Sequence, residues 1–556
     1  MNNGVLIVIA AAVIFLIIKG IYDYVSDKKG TIVRLRNQWG KYPDKEYISG
    51  KLESIRMYYD NNAEENDVDD ITWNDLDMDE LYMMLNHTES SMGEEVLYKM
   101  LRKPLYDGEE IAHRKAIINH FQQNEEERLL LQEKLVKIGS DKRLSFYEYF
   151  VRLGEVKTER NIIHYVILLA IFGFGAGIFF DSVICLAGLI ATICTSILIY
   201  YKRKAEISAY YYIFNSILNM LYVSKEITKV NIDSIATELE KLREYNKSFA
   251  GFKRGSQIVL QVGGGNISDI IFDYVRIITH IDLIKFNNMY NNVMENREML
   301  LRLYDTVGYL DSLLAIASFR EYLSDRGWCE PEFTCDCRKI EYEEGYHLYI
   351  DKPVYNSFAA ESSVLLTGSN ASGKSTFLKM TAMNAILAQT IVTVAAKRYK
   401  APYYKVMTSM ALSDNILSNK SYFIVEIMSL KRILDSDKNI NILCCIDEVL
   451  RGTNTVERIA ASSQILKCLE NNNVLCFAAT HDIELASILA NHYTNYHFQE
   501  SVTEDNVLFD YKIYEGPSKT KNAIKLLGML GYENELVEKA EQMAAYFENN
   551  NTWFVV

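Results

Sequence analysis

Leu365 to Thr376 reads LLTGSNASGKST, an apolar strand running straight into G-x-x-x-x-G-K-S. Gly368, Gly373, Lys374 and Ser375 fill the four fixed positions of a phosphate-binding loop. The chemistry calls for those types: glycines let successive backbone N–H groups curl around phosphate oxygens, a lysine adds a point charge, and a serine hydroxyl ligates Mg2+. A second stretch, NILCCIDE at Asn441 to Glu448, is an apolar run ending in two carboxylates. Asp447 is placed to hold Mg2+ and Glu448 to polarise an attacking water. A third, Val474 to Ala479, ends in Thr480-His481, so His481 stands where a γ-phosphate sensor would. Together these residues imply a site that binds and hydrolyses a nucleoside triphosphate.

The elements that must position them follow from pattern. Short unbroken apolar runs such as Val364 to Leu366 and Asn441 to Ile446 predict buried parallel strands that present their last residues at one edge of a sheet. Phe377 to Ala388 predicts a helix whose positive N-terminal end faces the same phosphates. That combination is an α/β P-loop architecture.

The ordered set TGSNASGKST, SDNILSNKSYFIVEI (Ser413 to Ile427), DEVLRGTNT (Asp447 to Thr455) and ATHDIEL (Ala479 to Leu485) resembles the MutS branch of the ABC-type ATPases. The D-E-x-x-R-G-T run is narrow to that branch. The resemblance implies ATP and Mg2+ as ligands, with Gly368, Asn370, Gly373, Lys374, Ser375 and Thr376 around the ATP, Ser375 and Asp447 at the metal, and Glu448 and His481 as catalytic residues. It also implies a homodimer, in which Ser418 to Ser421 reaches across to the partner's ATP. Here Asn419-Lys420 replaces the family's Gly-Arg, while Ser421 and Glu426 stay in place. Gln389 falls where the Q-loop residue is expected. Upstream, Met92-Gly93, Leu97, Leu101, Pro104-Leu105, Asp107, Ile111, Arg114 and Phe121 are similar to the helical core that precedes the ATPase in MutS proteins, and Leu310 to Ala315 is similar to that core's last helix. The likeness runs from about Asp69 to about Lys539 and leaves no room for the family's mismatch-reading and connector domains.

Apolar runs supply something else. Met1 to Ile18 carries no charge, and the unbroken stretch Val5 to Ile18 reads as an uncleaved membrane anchor, since it lacks a basic leader and a small-residue cleavage site. Ile162 to Phe180 and Val183 to Tyr201, each about 28 Å long as a helix, read as a transmembrane hairpin tipped by Asp181-Ser182. Flanking cations set the orientation: Arg152, Lys157 and Arg160 precede the hairpin, Lys202 to Lys204 follow it, and Lys19, Lys28 and Lys29 follow the first segment. The N-terminus and the hairpin tip are then outside and everything else cytoplasmic, in a multi-pass protein of the cell membrane. The expected order is an anchor at 1–24, a helical MutS-like core at 25–160, the hairpin at 161–201, the rest of the helical core at 202–335, and the ATPase domain with a C-terminal helix at 336–556.

Composition fits a large folded protein: 556 residues, 49% hydrophobic, six prolines. The net charge of −14 argues against a broad nucleic-acid surface, which needs clustered Lys and Arg. Ten acids without a Lys or Arg between Asp60 and Glu80 read as a solvated acidic linker or face. Lys397, Arg398, Lys400 and Lys405 among tyrosines read as a solvated loop. The nine cysteines show no disulfide framework, and Cys329, Cys335 and Cys337, spaced only loosely like metal ligands, read as structural. Three functions compete: a mechanochemical membrane ATPase whose helical and membrane parts move with ATP, a membrane-tethered DNA-binding relative of mismatch repair, and an ABC transporter half. Three spans are few for a transport pathway, and the acidic balance weakens DNA binding.

Overall fold

The computed structural model describes residues 3–140, 145–154, 160–253, 256, 267–335, 338–369, 372–410, 422–437, 439–470, 473–502, 507–518, 524, 527, 531–550 and 552–555. They fall into two compact units. The first takes Met1–Asn62, Leu85–Lys99 and Ala116–Phe319; the second takes Ala63–Met84, Met100–Lys115 and Arg320–Val556. This differs from a serial division at residue 335. Residues 63–84 and 100–115 belong with the α/β unit because their apolar side chains, Val68, Trp73, Leu76 and Ile111 among them, are buried there.

The α/β unit contains two sheets. One has the order β1 (Glu332–Phe333), β5 (Arg398–Ala401), β2 (Ile340–Gly345), β3 (Asn356–Ala360). The other has the order β10 (Val507–Glu515), β9 (Thr494–Val502), β4 (Val364–Thr367), β8 (Val474–Thr480), β7 (Ile442–Asp447), β6 (Lys405–Ser409). All its neighbours run parallel except β10 against β9. Strands β4, β7 and β8 are continuously apolar because both faces are covered, as parallel sheets require. Leu365, Cys444, Ile446, Cys476 and Ala478 form one core with Leu430, Leu466 and Leu485 from the flanking helices.

The acidic segment 60–80 is folded, not a linker. Asp69 caps the helix Asp70–Asp75 by accepting from Thr72 N at 2.8 Å, and Arg102 donates to Asp70 at 2.9 Å while lying 4.0 Å over the Trp73 ring. Asp75 is buried and accepts from Thr408 Oγ1 at 2.6 Å and Met410 N at 2.9 Å. Arg398 and Lys400 of the basic stretch lie in strand β5, not in a loop, with Lys397 just before it. Arg398 pairs with Glu332 at 3.1 Å and Lys397 with Glu343 at 2.8 Å, so two of the stretch's cations are ion-paired. Cys329 is held by a backbone bridge to Val394, and burial pushes its thiol up to about 12, which suits a structural thiol.

The first unit is helical. The helix Ser91–Arg102 and the helix Arg297–Tyr322 approach closely through glycine: a Cβ on Gly93 would lie 2.3 Å from Asp311 Oδ2, and one on Gly308 2.5 Å from Val96. Asp311 is fully buried and accepts from Glu89 N at 3.0 Å, Ser90 N at 2.8 Å and Ser90 Oγ at 2.6 Å, which fastens the start of one helix to the middle of the other.

Two apolar helices, Ile162–Gly177 and Ser182–Ile207, form an antiparallel hairpin. Gly188 receives the Phe174 ring and Gly177 the Cys185 sulfur, each at 2.6 Å from where a Cβ would stand, the small-residue contact that lets apolar helices meet closely. The outer faces are bare: Leu169, Phe172, Phe179, Phe180, Val183 and Leu198 are all more than 70% exposed. Among the described residues Ser182–Ile207 is long and apolar enough to cross a bilayer, while Ile162–Gly177 is shorter. The N-terminal helix runs from Asn3 to Gln38, well beyond the apolar stretch Val5 to Ile18 near its start.

Asp311→Ala is expected to orphan two buried backbone donors at about 1–3 kcal/mol each. A fall in the apparent unfolding temperature of the purified protein checks it, and no change would show that Asp311 does not fasten the two helices.

Candidate nucleotide site

Strand register brings the chemistry together. Thr367 pairs with Thr480 across β4 and β8, and Asp447 with Ala479 across β7 and β8, so three strands end at one edge. Beyond β4 the chain turns through Gly368 at φ +145° and Gly373 at φ +109°, left-handed values that L side chains rarely adopt. A Cβ on Gly368 would also meet the Phe498 carbonyl at 2.8 Å. The helix Lys374–Thr390 then starts with its N–H groups facing the loop, three residues earlier than the sequence suggests.

Lys374 is buried, and its ammonium donates to the Gly368 carbonyl at 2.9 Å and the Ser369 carbonyl at 2.7 Å. Burial pushes it down to about 8, with Asp447, Glu448 and Glu500 pulling the other way. It is a cation held inside the loop, ready for phosphate. Ser375 Oγ donates to Asp447 Oδ2 at 2.6 Å. Two hard oxygen donors side by side suit Mg2+, which takes one or two protein oxygens and keeps water and phosphate for the rest.

Glu448 follows directly. Its backbone N–H donates to the Ala479 carbonyl at 3.0 Å, and its carboxylate meets His481 Nε2 at 2.9 Å and Arg451 Nε at 2.8 Å. The His481 hydrogen bond, then the Arg451 and Lys374 charges, hold Glu448 below the usual carboxylate range despite its partial burial. Glu448 and Leu450 both have φ +58°, a strained conformation for residues with side chains. Glu426 pins that turn: its Oε1 accepts from the backbone N–H groups of Leu450 and Arg451, and burial pushes its carboxyl up. Arg458 grips Asp482 through two bonds of 2.8 and 2.6 Å, which fixes the residue next to His481.

Thr376 and Gly373 border a cavity of about 380 Å³ whose other walls include His347, Ile350, Phe498 and Tyr511. Gln389, the expected Q-loop residue, is buried; its amide donates to the Leu105 carbonyl at 3.2 Å and accepts from Tyr404 N at 2.7 Å. It braces the fold rather than facing phosphate. Asn370, Ser418 and Ser421 lie outside the described residues. Gly368, Gly373, Lys374, Ser375, Thr376, Asp447, Glu448 and His481 share one edge of the sheet. Sequence reading assigned no role to Arg451, four residues after Asp447, nor to Ser369 and Glu500, whose side chains hydrogen-bond at the loop.

A parallel sheet with a phosphate loop on β4, paired acids on β7 and a histidine on the intervening β8 defines an ATPase-type P-loop domain. The family model for MutS domain V matches residues 364–548. The DNA mismatch repair protein MutS of Petrotoga mobilis is 24% identical over 536 residues, covering 84% of this chain and 62% of that protein. That of Natronomonas pharaonis is 29% identical over 280 residues, covering 48% and 32%, and that of Leptospira interrogans 28% over 298 residues, covering 51% and 35%. Residues 364–548 are thus similar to MutS domain V, and the chain spans between about a third and three-fifths of the length of these relatives.

Lys374→Ala removes the loop's cation and is expected to weaken ATP binding about 10- to 100-fold, the worth of a charged hydrogen bond, with the fold retained. Titration with a fluorescent ATP analogue, beside circular dichroism, checks it; an unchanged affinity would contradict the phosphate-loop assignment.

Proposed function

We propose that this protein is a membrane-anchored MutS-type ATPase that binds and hydrolyses ATP in a composite dimer interface to drive a conformational change of its helical and membrane parts. The observation that carries the reading is the convergence of the Lys374 loop, the Ser375–Asp447 pair and the Glu448–His481 pair at one sheet edge. Lys374 and the loop amides bind the phosphates, and the cavity beside Thr376 takes the base and ribose, with Tyr511 and Phe498 offering ring faces. Ser375 and Asp447 would hold Mg2+, which neutralises charge on the phosphate oxygens. Glu448, ionised and aimed by His481 and Arg451, accepts the proton of the attacking water. His481 holds its ring nitrogen toward the same carboxylate and is placed to report on the γ-phosphate.

Ser418 to Ser421 of a second copy completes the site, as the family resemblance implies. The bare apolar faces of the hairpin and the uncharged start of the N-terminal helix support seating in the bilayer lipid of the cell membrane, with the ATPase domain in the cytoplasm. DNA is a weaker partner for this chain, since Lys397 and Arg398 are ion-paired and the net charge is −14. With a single hairpin and one N-terminal segment, a transporter half is weaker still.

Glu448→Gln keeps the packing and removes the base, so turnover is expected to fall about 10²- to 10⁴-fold while Mg-ATP still binds. The variant should accumulate as an ATP-dependent dimer, and Ser421→Arg added to it should abolish that dimer; both are read by light scattering. Wild-type turnover would remove Glu448 as the base, and a stalled monomer would remove the composite site. ATPase rates in nanodiscs with and without duplex DNA separate the membrane reading from the DNA reading, stimulation favouring the latter.

Topology has its own test. A cysteine at Ser182 should label from outside the cell and one at Ser140 should not; the reverse pattern overturns the arrangement.

A further inference from the structure

The chain beside the hairpin is turned inside out, as the hairpin is. On the helix Ile267–Thr279, Arg276 is 8% exposed and pairs with Asp273 at 3.1 Å, while Tyr274, Val275 and Ile278 are 64%, 45% and 39% exposed. Those three stand at i, i+1 and i+4, on one face of the helix. Just beyond, Ile281 is exposed, whereas Asp282 is buried and accepts from Tyr200 at 2.9 Å. A helix that faces water carries its charges outward and its apolar stripe inward. Here the order is reversed, as in helices that face lipid and turn their ionisable residues toward one another.

Polar contacts seat this segment against both arms of the hairpin. Ser196 Oγ, on the second arm, lies 3.4 Å from the Ile277 carbonyl and 2.9 Å from His280 Nε2. His280 Nδ1 lies 2.9 Å from Nδ1 of His164 on the first arm, and the backbone of His280 is held at φ +52°. The reversed face is therefore joined to the bare hairpin residues beside these contacts, Ile163, Val166 and Leu198 among them.

Depth follows from the hairpin's own register. Phe174 meets Gly188 and Gly177 meets Cys185, so the start of the first arm, at Arg160, stands level with Lys202. From Ser182 to Lys202 the helix is about 30 Å long, the thickness of a bilayer's hydrocarbon core. Ser196, and Ile277 with it, lies about 9 Å inside the Lys202 level, a depth at which apolar side chains rest just below lipid headgroups. Tyr201 and Tyr274 bring the amphipathic rings that favour this boundary. Arg160 and Lys202 are exposed and make no ion pair among the described residues.

We propose that residues 273–281 form a further lipid-facing wall beside the hairpin: Tyr274, Val275, Ile278 and Ile281 rest against acyl chains, and Arg160 and Lys202 bind the phosphates of anionic lipid headgroups at the boundary. The occupant is a bilayer and not a second chain, because two cations without partners stand at the edge of an apolar surface as long as the hydrocarbon core is thick. This wall requires that the hairpin lie in the bilayer, and it is independent of ATP hydrolysis and of the direction in which the hairpin is inserted.

The experiment places the photoreactive residue p-benzoylphenylalanine at one position at a time in the full chain, in vesicles of equal parts phosphatidylcholine and phosphatidylglycerol, and identifies what is captured by mass spectrometry. Phe172, Tyr201 and Tyr274 are exposed aromatic residues, so the replacement keeps their shape. All three are expected to capture lipid, with Tyr514 on the edge strand β10 as the background. Val275 serves if the Tyr274 variant fails to fold. At Tyr201 the anionic lipid should be over-represented by up to about fivefold per cation, and Arg160→Gln combined with Lys202→Gln should return it to the ratio of the vesicle. Lipid at Phe172 with only background at Tyr274, or a second copy of the chain captured at Tyr274, overturns the wall and leaves the membrane reading intact. An anionic share that the double variant leaves unchanged overturns the headgroup contact. Background at Phe172, Tyr201 and Tyr274 alike removes the membrane reading and the wall with it.

Discussion

The parallel register of three neighbouring strands is the constraint on which the site depends. With Thr367 opposite Thr480 and Asp447 opposite Ala479, strands β4, β8 and β7 end at the same level, and whatever follows each is delivered to one place. The phosphate loop, the histidine and the paired acids come from positions 368–375, 481 and 447–448, far apart in the chain. A slip of one residue in either pairing would turn the strand's closing residues to the opposite face of the sheet. The apolar residues that hold the register, Leu365, Cys444, Ile446, Cys476 and Ala478, are therefore as necessary to the chemistry as the polar ones, although none touches phosphate.

Backbone strain is present where the paired acids turn. Glu448 and Leu450 adopt conformations that cost about 1–3 kcal/mol each, and the buried Glu426 holds the turn by accepting the N–H groups of Leu450 and Arg451. The result aims Glu448 at His481 and Arg451 at both acids. Arg451 thereby holds together two like-charged carboxylates that would otherwise repel. A similar economy operates in the helical unit, where Asp311 and two close-approach glycines replace bulk at a helix crossing, and at the hairpin's foot, where His280 is strained to reach both arms.

Some of this was legible in the residues alone. The glycines of the phosphate loop, its lysine and serine, the acids closing an apolar run and the histidine closing another are local patterns with local causes, and each appears where its pattern puts it. The hairpin was legible for the same reason, since two apolar runs separated by Asp181-Ser182 leave a helix few other options. The acidic segment 60–80 was legible only in part: most of its acids are exposed, as on a solvated face, but Asp75 is buried against Thr408 and Asp70 meets Arg102, partners remote in sequence. The basic stretch 397–400 was misread likewise, since the acids that neutralise it lie on β1 and β2. Gln389 has the spacing of a phosphate-side residue yet turns to Leu105 and Tyr404, which no window of sequence contains.

The sequence by itself determined which residue types stand at the ends of which elements, because backbone freedom, charge and apolar periodicity are properties of neighbours along the chain. It thereby determined which donor groups stand at the site and the apolar character of the hairpin. The tertiary structure alone decided which ends meet. It put Arg451 between two acids, gathered residues 63–84 and 100–115 into the α/β unit, and set His164 against His280 across more than a hundred residues. Those outcomes depend on the burial of side chains against remote partners, an energy that exists only once the chain has folded.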